Sequence, residues 1–171
     1  KAYLFGSYAR GEETPLSDVD IRLEVSDNFT LFDLNSIAFQ LEEKTGKKGL
    51  MVSAVDLLKG IAVGAGMGVV EVEGANGGLH TNYAGKVDAA LKALTEDGYD
   101  FVYIHVEAPD EMGHQGSVER KVQAIEYLDE KVIKPMVDTL DEQGVDFRML
   151  VLPDHPTPIC VRTHTSDSVP Y

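Results

Sequence analysis

The sequence predicts an α/β fold, a mostly parallel sheet flanked by helices, with a strand–turn–strand–helix piece ahead of it. Three observations carry that expectation. From Gly49 onward short apolar runs alternate with amphipathic segments, the order that builds parallel strands joined by covering helices. The run Phe101-Val102-Tyr103-Ile104 is apolar throughout, as a central strand buried on both faces requires. A composition of 43% hydrophobic and 26% charged over 171 residues suits a soluble chain able to bury a core.

Taken in order, Lys1–Phe5 and Val19–Val25 read as strands joined by a polar connection from Tyr8 to Leu16, and Leu31–Thr45 reads as a helix. Gly49–Ala54 begins the alternating part. Val55–Val63 follows as a helix, Gly68–Glu73 as a strand, Tyr83–Glu96 as a helix and Asp100–Val106 as a strand. Ser117–Gln143 is one long helix, bent or broken near Pro135, which has no backbone donor. Phe147–Leu152 is the last strand. Gly46, Gly98 and Gly144 stand where three helices should stop.

Several function classes are disfavoured at once. No stretch approaches the roughly 20 apolar residues of a membrane span, and Lys1-Ala2-Tyr3-Leu4-Phe5 leads straight into Gly6-Ser7 without a signal-peptide pattern. The single cysteine, Cys160, has no internal partner, which fits a reducing cytoplasm. The net charge is -14: residues 1–49 hold 6 basic and 9 acidic residues, and residues 50–171 hold 9 and 20. So acidic a surface repels a nucleic-acid backbone, yet a pocket with metal ions and a few local cations still accepts a phosphorylated small molecule.

The chemistry gathers in the C-terminal half. Asp110 and His114 are four apart, so one helical turn puts both on one face just beyond the strand Asp100–Val106. Asp154-His155 follows Phe147–Leu152 in the same way, and His164 comes soon after. Carboxylates and imidazoles at successive strand ends can converge on a metal although they are far apart in sequence. His105, inside a strand, and His80, in a Gly-rich turn, read as ordinary core or surface histidines.

Gly74-Ala75-Asn76-Gly77-Gly78-Leu79-His80-Thr81-Asn82-Tyr83, His105-Val106-Glu107-Ala108-Pro109-Asp110-Glu111-Met112-Gly113-His114 and Leu152-Pro153-Asp154-His155-Pro156-Thr157-Pro158 carry a resemblance. Arg162-Thr163-His164-Thr165-Ser166 and Val169-Pro170-Tyr171 continue it. Residues from about 49 to 171 resemble the C-terminal, metal-binding part of the cofactor-independent phosphoglycerate mutases, in the alkaline phosphatase superfamily. The resemblance implies an alkaline-phosphatase-like core and a glycolytic isomerase that interconverts 2- and 3-phosphoglycerate. It implies that Asp110, His114 and His164 hold one divalent ion, manganese or zinc, and that Asp154 and His155 help hold a second. Two such ions neutralise charge on attacking and leaving oxygens while a serine carries the phosphoryl group between hydroxyls. Lys86, Arg120, Arg148 and Arg162 are the nearby cations for phosphate or carboxylate. The family's N-terminal metal-binding Asp and its nucleophilic Ser have no recognisable counterpart, so weak or absent activity is expected. Ser17-Asp18-Val19-Asp20 only superficially echoes the nucleophile segment.

Gly6-Ser7-Tyr8-Ala9-Arg10-Gly11 followed by Ser17-Asp18-Val19-Asp20-Ile21 resembles instead the minimal nucleotidyltransferases. Gly6 and Ser7 at a helix start would offer donors to a triphosphate. Asp18 and Asp20, two apart on a strand, share a face on which Mg²⁺ could bind. The third carboxylate of that family, expected soon after Lys47-Lys48, is absent. Residues 1–48 and 49–171 are therefore expected to be a chimera of two incomplete parts, joined near Lys47 to Leu50 and packed as one composite domain. The alternatives to a mutase remnant are a nucleotide- and Mg²⁺-binding module, or an engineered chimera with no native activity.

Overall fold

The computed structural model describes residues 46–169 together with the backbone of two earlier strands, Ala2–Phe5 and Asp20–Leu23. The chain divides into two compact units, Lys1–Leu34 and Asn35–Tyr171. In the first, β1 (Ala2–Phe5) and β2 (Asp20–Leu23) pair antiparallel, with Ala2 opposite Leu23 and Phe5 opposite Asp20. Both strands fall inside the predicted runs. The predicted helix Leu31–Thr45 and residues Gly6, Ser7, Ser17 and Asp18 lie outside the described residues, as does the Asp20 side chain.

The second unit is the predicted α/β arrangement. Its strands β3 (Gly49–Val52), β4 (Gly68–Val70) and β5 (Phe101–Ile104) form a parallel sheet in the order β4-β3-β5. Leu50 lies opposite Gly68 on one side and opposite Val102 on the other. Asp100 sets that register: its carboxylate accepts from the Lys48 backbone at 2.8 Å and from Lys47 Nζ at 2.7 Å, just ahead of β5.

Helices α1 (Asp56–Gly64) and α2 (Tyr83–Thr95) occupy the predicted places. The Asn82 side chain accepts from Gly85 N at 2.9 Å to cap α2. Gly98 and Gly144 both take positive φ, of 73° and 66°, as they leave α2 and the last helix. Tyr83, Val87, Ala90 and Ala93 recur at helical spacing on α2 and pack against Leu50 and Val52 of the sheet and against Val132, Met136 and Leu140. Each large apolar side chain buried there contributes about 1.5–3 kcal/mol.

Past β5, α3 (Ala108–His114) is short and α4 (Val118–Leu128) is capped by the Ser117 hydroxyl. The helix predicted over Ser117–Gln143 continues through a wider π turn, Asp129–Ile133, into α5 (Lys134–Glu142). The wide turn lies immediately before Pro135, whose ring crowds the carbonyl four residues back; Lys134 N bonds instead five back, to Asp129 O. No helix among the described residues is long and apolar enough to cross a membrane.

Two expectations are corrected. The central strand is β3, buried at every position, whereas β5 is at an edge of the described sheet with Phe101 47% and Tyr103 44% exposed. Phe147–Leu152 forms no strand, and Leu150 is 73% exposed. An apolar run becomes a strand only when a partner accepts its backbone bonds, and among the described residues β5 offers this run no pairing.

Candidate metal centre

The site is at the carboxyl end of the sheet, where β5 leads into α3. Pro109 falls in the first turn of α3, a place that suits a residue lacking an N–H, and the helix then sets Asp110 and His114 on one face. The return half is an irregular loop. Thr165 N donates to Pro156 O at 3.0 Å, and Lys121 Nζ donates to Thr157 O at 2.7 Å, so the loop is tied to itself and to α4.

Three predicted residues converge. His114 Nε2 is 3.3 Å from Asp110 Oδ2 and 3.1 Å from His164 Nε2, and His164 Nε2 is 3.3 Å from Asp110 Oδ1. Donors about 2.0–2.1 Å from a tetrahedral ion stand about 3.3–3.4 Å apart; the His114–His164 edge and the edges to the two Asp110 oxygens are near that spacing, and one donor from each residue lies within 4.8 Å of the others. The other His114 ring nitrogen fixes the tautomer. Nδ1 is 2.9 Å from Arg162 O, and since a carbonyl only accepts, Nδ1 carries the ring proton. In the neutral imidazole, Nε2 then presents its lone pair to His164 and Asp110. A histidine anchored through one nitrogen to a backbone carbonyl, with the other facing a carboxylate, is the usual orientation of a metal ligand. Arg162 adopts φ of 59°, an uncommon conformation for a residue with a side chain, and its guanidinium packs over Gly116.

Asp154 and His155 sit beside this cage. His155 Nε2 is 3.4 Å from Asp154 Oδ2, its Nδ1 is 4.0 Å from Asp110 Oδ1, and its ring centroid is 3.7 Å from that of His164. Thr157 joins the two groups. Buried, its hydroxyl donates to Asp110 Oδ1 and lies 3.3 Å from His155 Nδ1. Sequence reasoning gave Thr157 no role; its position between two prolines directly after Asp154-His155 was the available signal.

The cations are placed differently from one another. Lys86 is fully buried and donates to His105 O at 2.7 Å and to Glu107 Oε2 at 3.1 Å. Burial pushes the Glu107 carboxyl up, but the His105 ring and the Lys86 ammonium outweigh it and hold the group below the usual carboxylate range. Arg120 donates to Gln115 Oε1 at 3.2 Å, and Arg148 is exposed in the run after α5. His80 is exposed, 6.4 Å from the Tyr127 ring centroid. His105 stands just past β5 with Nε2 3.9 Å from Asp154 Oδ2, at the site rather than in the anonymous core.

A profile described as the metalloenzyme superfamily matches residues 11–171. The chain belongs to that superfamily. Proteins similar to it include a 2,3-bisphosphoglycerate-independent phosphoglycerate mutase of Methanothrix thermoacetophila, 54% identical over 132 residues, which are 77% of this chain and 33% of the relative. A probable enzyme of the same name from Geobacter sulfurreducens is 51% identical over 129 residues, 75% of this chain and 32% of the relative. Among solved structures, the PH0037 protein of Pyrococcus horikoshii matches with a TM-score of 0.64 and 33% identity, over 75% of this chain and 37% of that one. The chain thus spans about a third of the length of the curated relatives it matches. Superfamily membership and the Asp110–His114–His164 donor set agree on a divalent metal as the ion this site suits.

Proposed function

We propose that this chain is the metal-binding part of a cofactor-independent phosphoglycerate mutase, acting on 2- and 3-phosphoglycerate. The observation that carries the proposal is the His114 ring, whose Nδ1–H is bound to Arg162 O while Nε2 faces Asp110 and His164. Asp110, His114 and His164 hold one divalent ion, Mn²⁺ or Zn²⁺, and Asp154 with His155 contributes to a second. The ions would neutralise charge on the transferring phosphoryl group. The residues themselves do quieter work: Thr157 holds the Asp110 carboxylate, Arg162 O orients His114, and Arg120, Arg148 and Arg162 are exposed cations that a phosphorylated small molecule would meet. Without a recognisable nucleophilic serine, the chain by itself turns over weakly or not at all. Exposed Cys160, with no disulfide partner, suits a reducing cytoplasm, and the acidic surface disfavours nucleic acid.

Metal analysis after dialysis tests this reading. The wild-type chain should retain Mn²⁺ or Zn²⁺, and Asp110→Ala and His114→Ala should each lose at least one equivalent; retention unchanged in both variants sinks the proposal. A second reading rests on Gly6, Ser7, Asp18 and Asp20, with Asp20 opening β2. There the first 48 residues bind a nucleotide with Mg²⁺. ATP–Mg²⁺ binding that disappears in Asp18→Ala would support it, and no binding at millimolar ATP removes it.

A further inference from the structure

We infer that Lys86 is a positioning residue of the metal centre: its buried ammonium fixes the junction between β5 and α3, and with it the places of Asp110 and His114. The inference rests on the proposed role of those two residues as metal ligands. Lys86 reads in the sequence as a cation for phosphate, yet it is fully buried in the first turn of α2. A buried ammonium persists only where its donors are met. One goes to His105 O at 2.7 Å and another to Glu107 Oε2 at 3.1 Å.

The two bonds clamp both ends of the step from strand to helix. On the strand side, His105 N donates to Val52 O at 2.9 Å, so the ladder with β3 reaches His105. On the helix side, Glu107 is the N-cap of α3, and its carbonyl accepts from Asp110 N at 2.9 Å and from Glu111 N at 3.1 Å. Lys86 thus holds the very residue to which the Asp110 backbone is bonded. With only seven residues, α3 moves as one body. A tilt at Glu107 is carried to Asp110 and, one turn on, to His114. Metal–ligand distances hold to about ±0.2 Å, so donors standing 3.1 and 3.3 Å apart feel such a tilt.

Two features separate this arrangement from a pair that only stabilises the core. A carboxylate at a helix start is best placed against the free N–H groups there. The Glu107 side chain makes no such cap and turns to Lys86 instead. Its other oxygen, Oε1, is buried, with His105 Nδ1 3.4 Å away and no hydrogen bond formed. Buried ion pairs are often no more stabilising than apolar side chains of the same volume, and an orphaned oxygen weakens this one further. What the pair does supply is direction, through charge-assisted bonds from α2 to both sides of the junction.

The test is Co²⁺ binding to the full 171-residue chain, read as affinity by equilibrium dialysis and as coordination by the visible ligand-field spectrum. Lys86→Met removes the clamp. Lys86→Met/Glu107→Leu removes both buried charges, and carries the test if the stranded carboxylate of the single variant prevents folding. Leu140→Val is the control, since it trims the same core from α5, away from the junction. Both Lys86 variants should bind Co²⁺ about 10-fold more weakly and with a shifted spectrum. Leu140→Val should lower the melting temperature and leave affinity and spectrum as in the wild type. A double variant that folds and matches the wild type in both readings overturns the inference. So does a loss in Leu140→Val as large as that in the Lys86 variants, which would make stability the cause. A wild-type chain that takes up no Co²⁺ refutes instead the metal-site reading on which the inference stands.

Discussion

Gly113 and Gly60 both sit inside helices, and replacing each with alanine should have opposite consequences. By helix propensity alone either change stabilises the chain by about 0.8–1.0 kcal/mol. Around Gly60, in α1, a new Cβ meets nothing within 4 Å, so the propensity gain should survive. Around Gly113, in α3, the Cβ would stand 2.6 Å from Thr157 O, 3.0 Å from Lys121 Nζ and 3.1 Å from Thr157 Cγ2. The nearest of these is backbone, so the loop itself must retreat. Overpacking of this kind costs about 1–3 kcal/mol, and weakening the Lys121–Thr157 bond adds about 1 kcal/mol at this partly buried position. The penalty exceeds the gain. Urea denaturation should therefore show Gly113→Ala destabilised by roughly 1–3 kcal/mol net and Gly60→Ala stabilised by about 0.8–1.0 kcal/mol. Gly113→Ala should also bind Mn²⁺ more weakly, because Thr157 carries the hydroxyl that holds Asp110. If Gly113→Ala proves as stable as Gly60→Ala and binds Mn²⁺ like the wild type, the account of the α3–loop contact is wrong.

Two further outcomes follow from the same geometry. Thr157→Val keeps the shape of the side chain but leaves Asp110 Oδ1 without its donor, and calorimetric titration should show about 10-fold weaker Mn²⁺ binding, with stability lower by about 1.5–3 kcal/mol for the lost bond to a charged group. Glu107 is held below the usual carboxylate range, so on acidification the unfolded chain takes up its proton first. The stability it contributes is complete above the ordinary glutamate value of about 4.3 and fades as pH falls through that value toward the lower one of the folded state. Melting curves of wild type and Glu107→Gln should converge in that window; a gap independent of pH would count against it.

How much of this was legible in the sequence depended on distance along the chain. Asp110 and His114 are linked by one helical turn, so their shared face could be read directly. His164 reaches them through a loop whose path is set by Thr165–Pro156 and Lys121–Thr157 bonds, and no periodicity encodes such bonds. Apolar character placed β3, β4 and β5 correctly but could not rank them. Gly49–Val52 and Phe101–Ile104 look equally fit for the centre, and only pairing decided for β3. Phe147–Leu152 shows the converse, a strand-like sequence with no strand beside it among the described residues. Thr157 and Glu107 were passed over because their partners, Asp110 and Lys86, are 47 and 21 positions away, and His105 read as an ordinary histidine because nothing local marks Asp154 as its neighbour.

The irregular course of the return loop changes what an ion at this centre would do for the molecule as a whole. His114 and His164 are 50 residues apart, and between them lie α4, the π turn, α5 and the run that found no sheet. A cation bridging those two rings acts as a reversible cross-link across that span. It removes chain entropy from the unfolded ensemble much as a disulfide would, by about 4 kcal/mol for a closed loop of that size. Ion affinity and folding free energy then become two measures of one quantity.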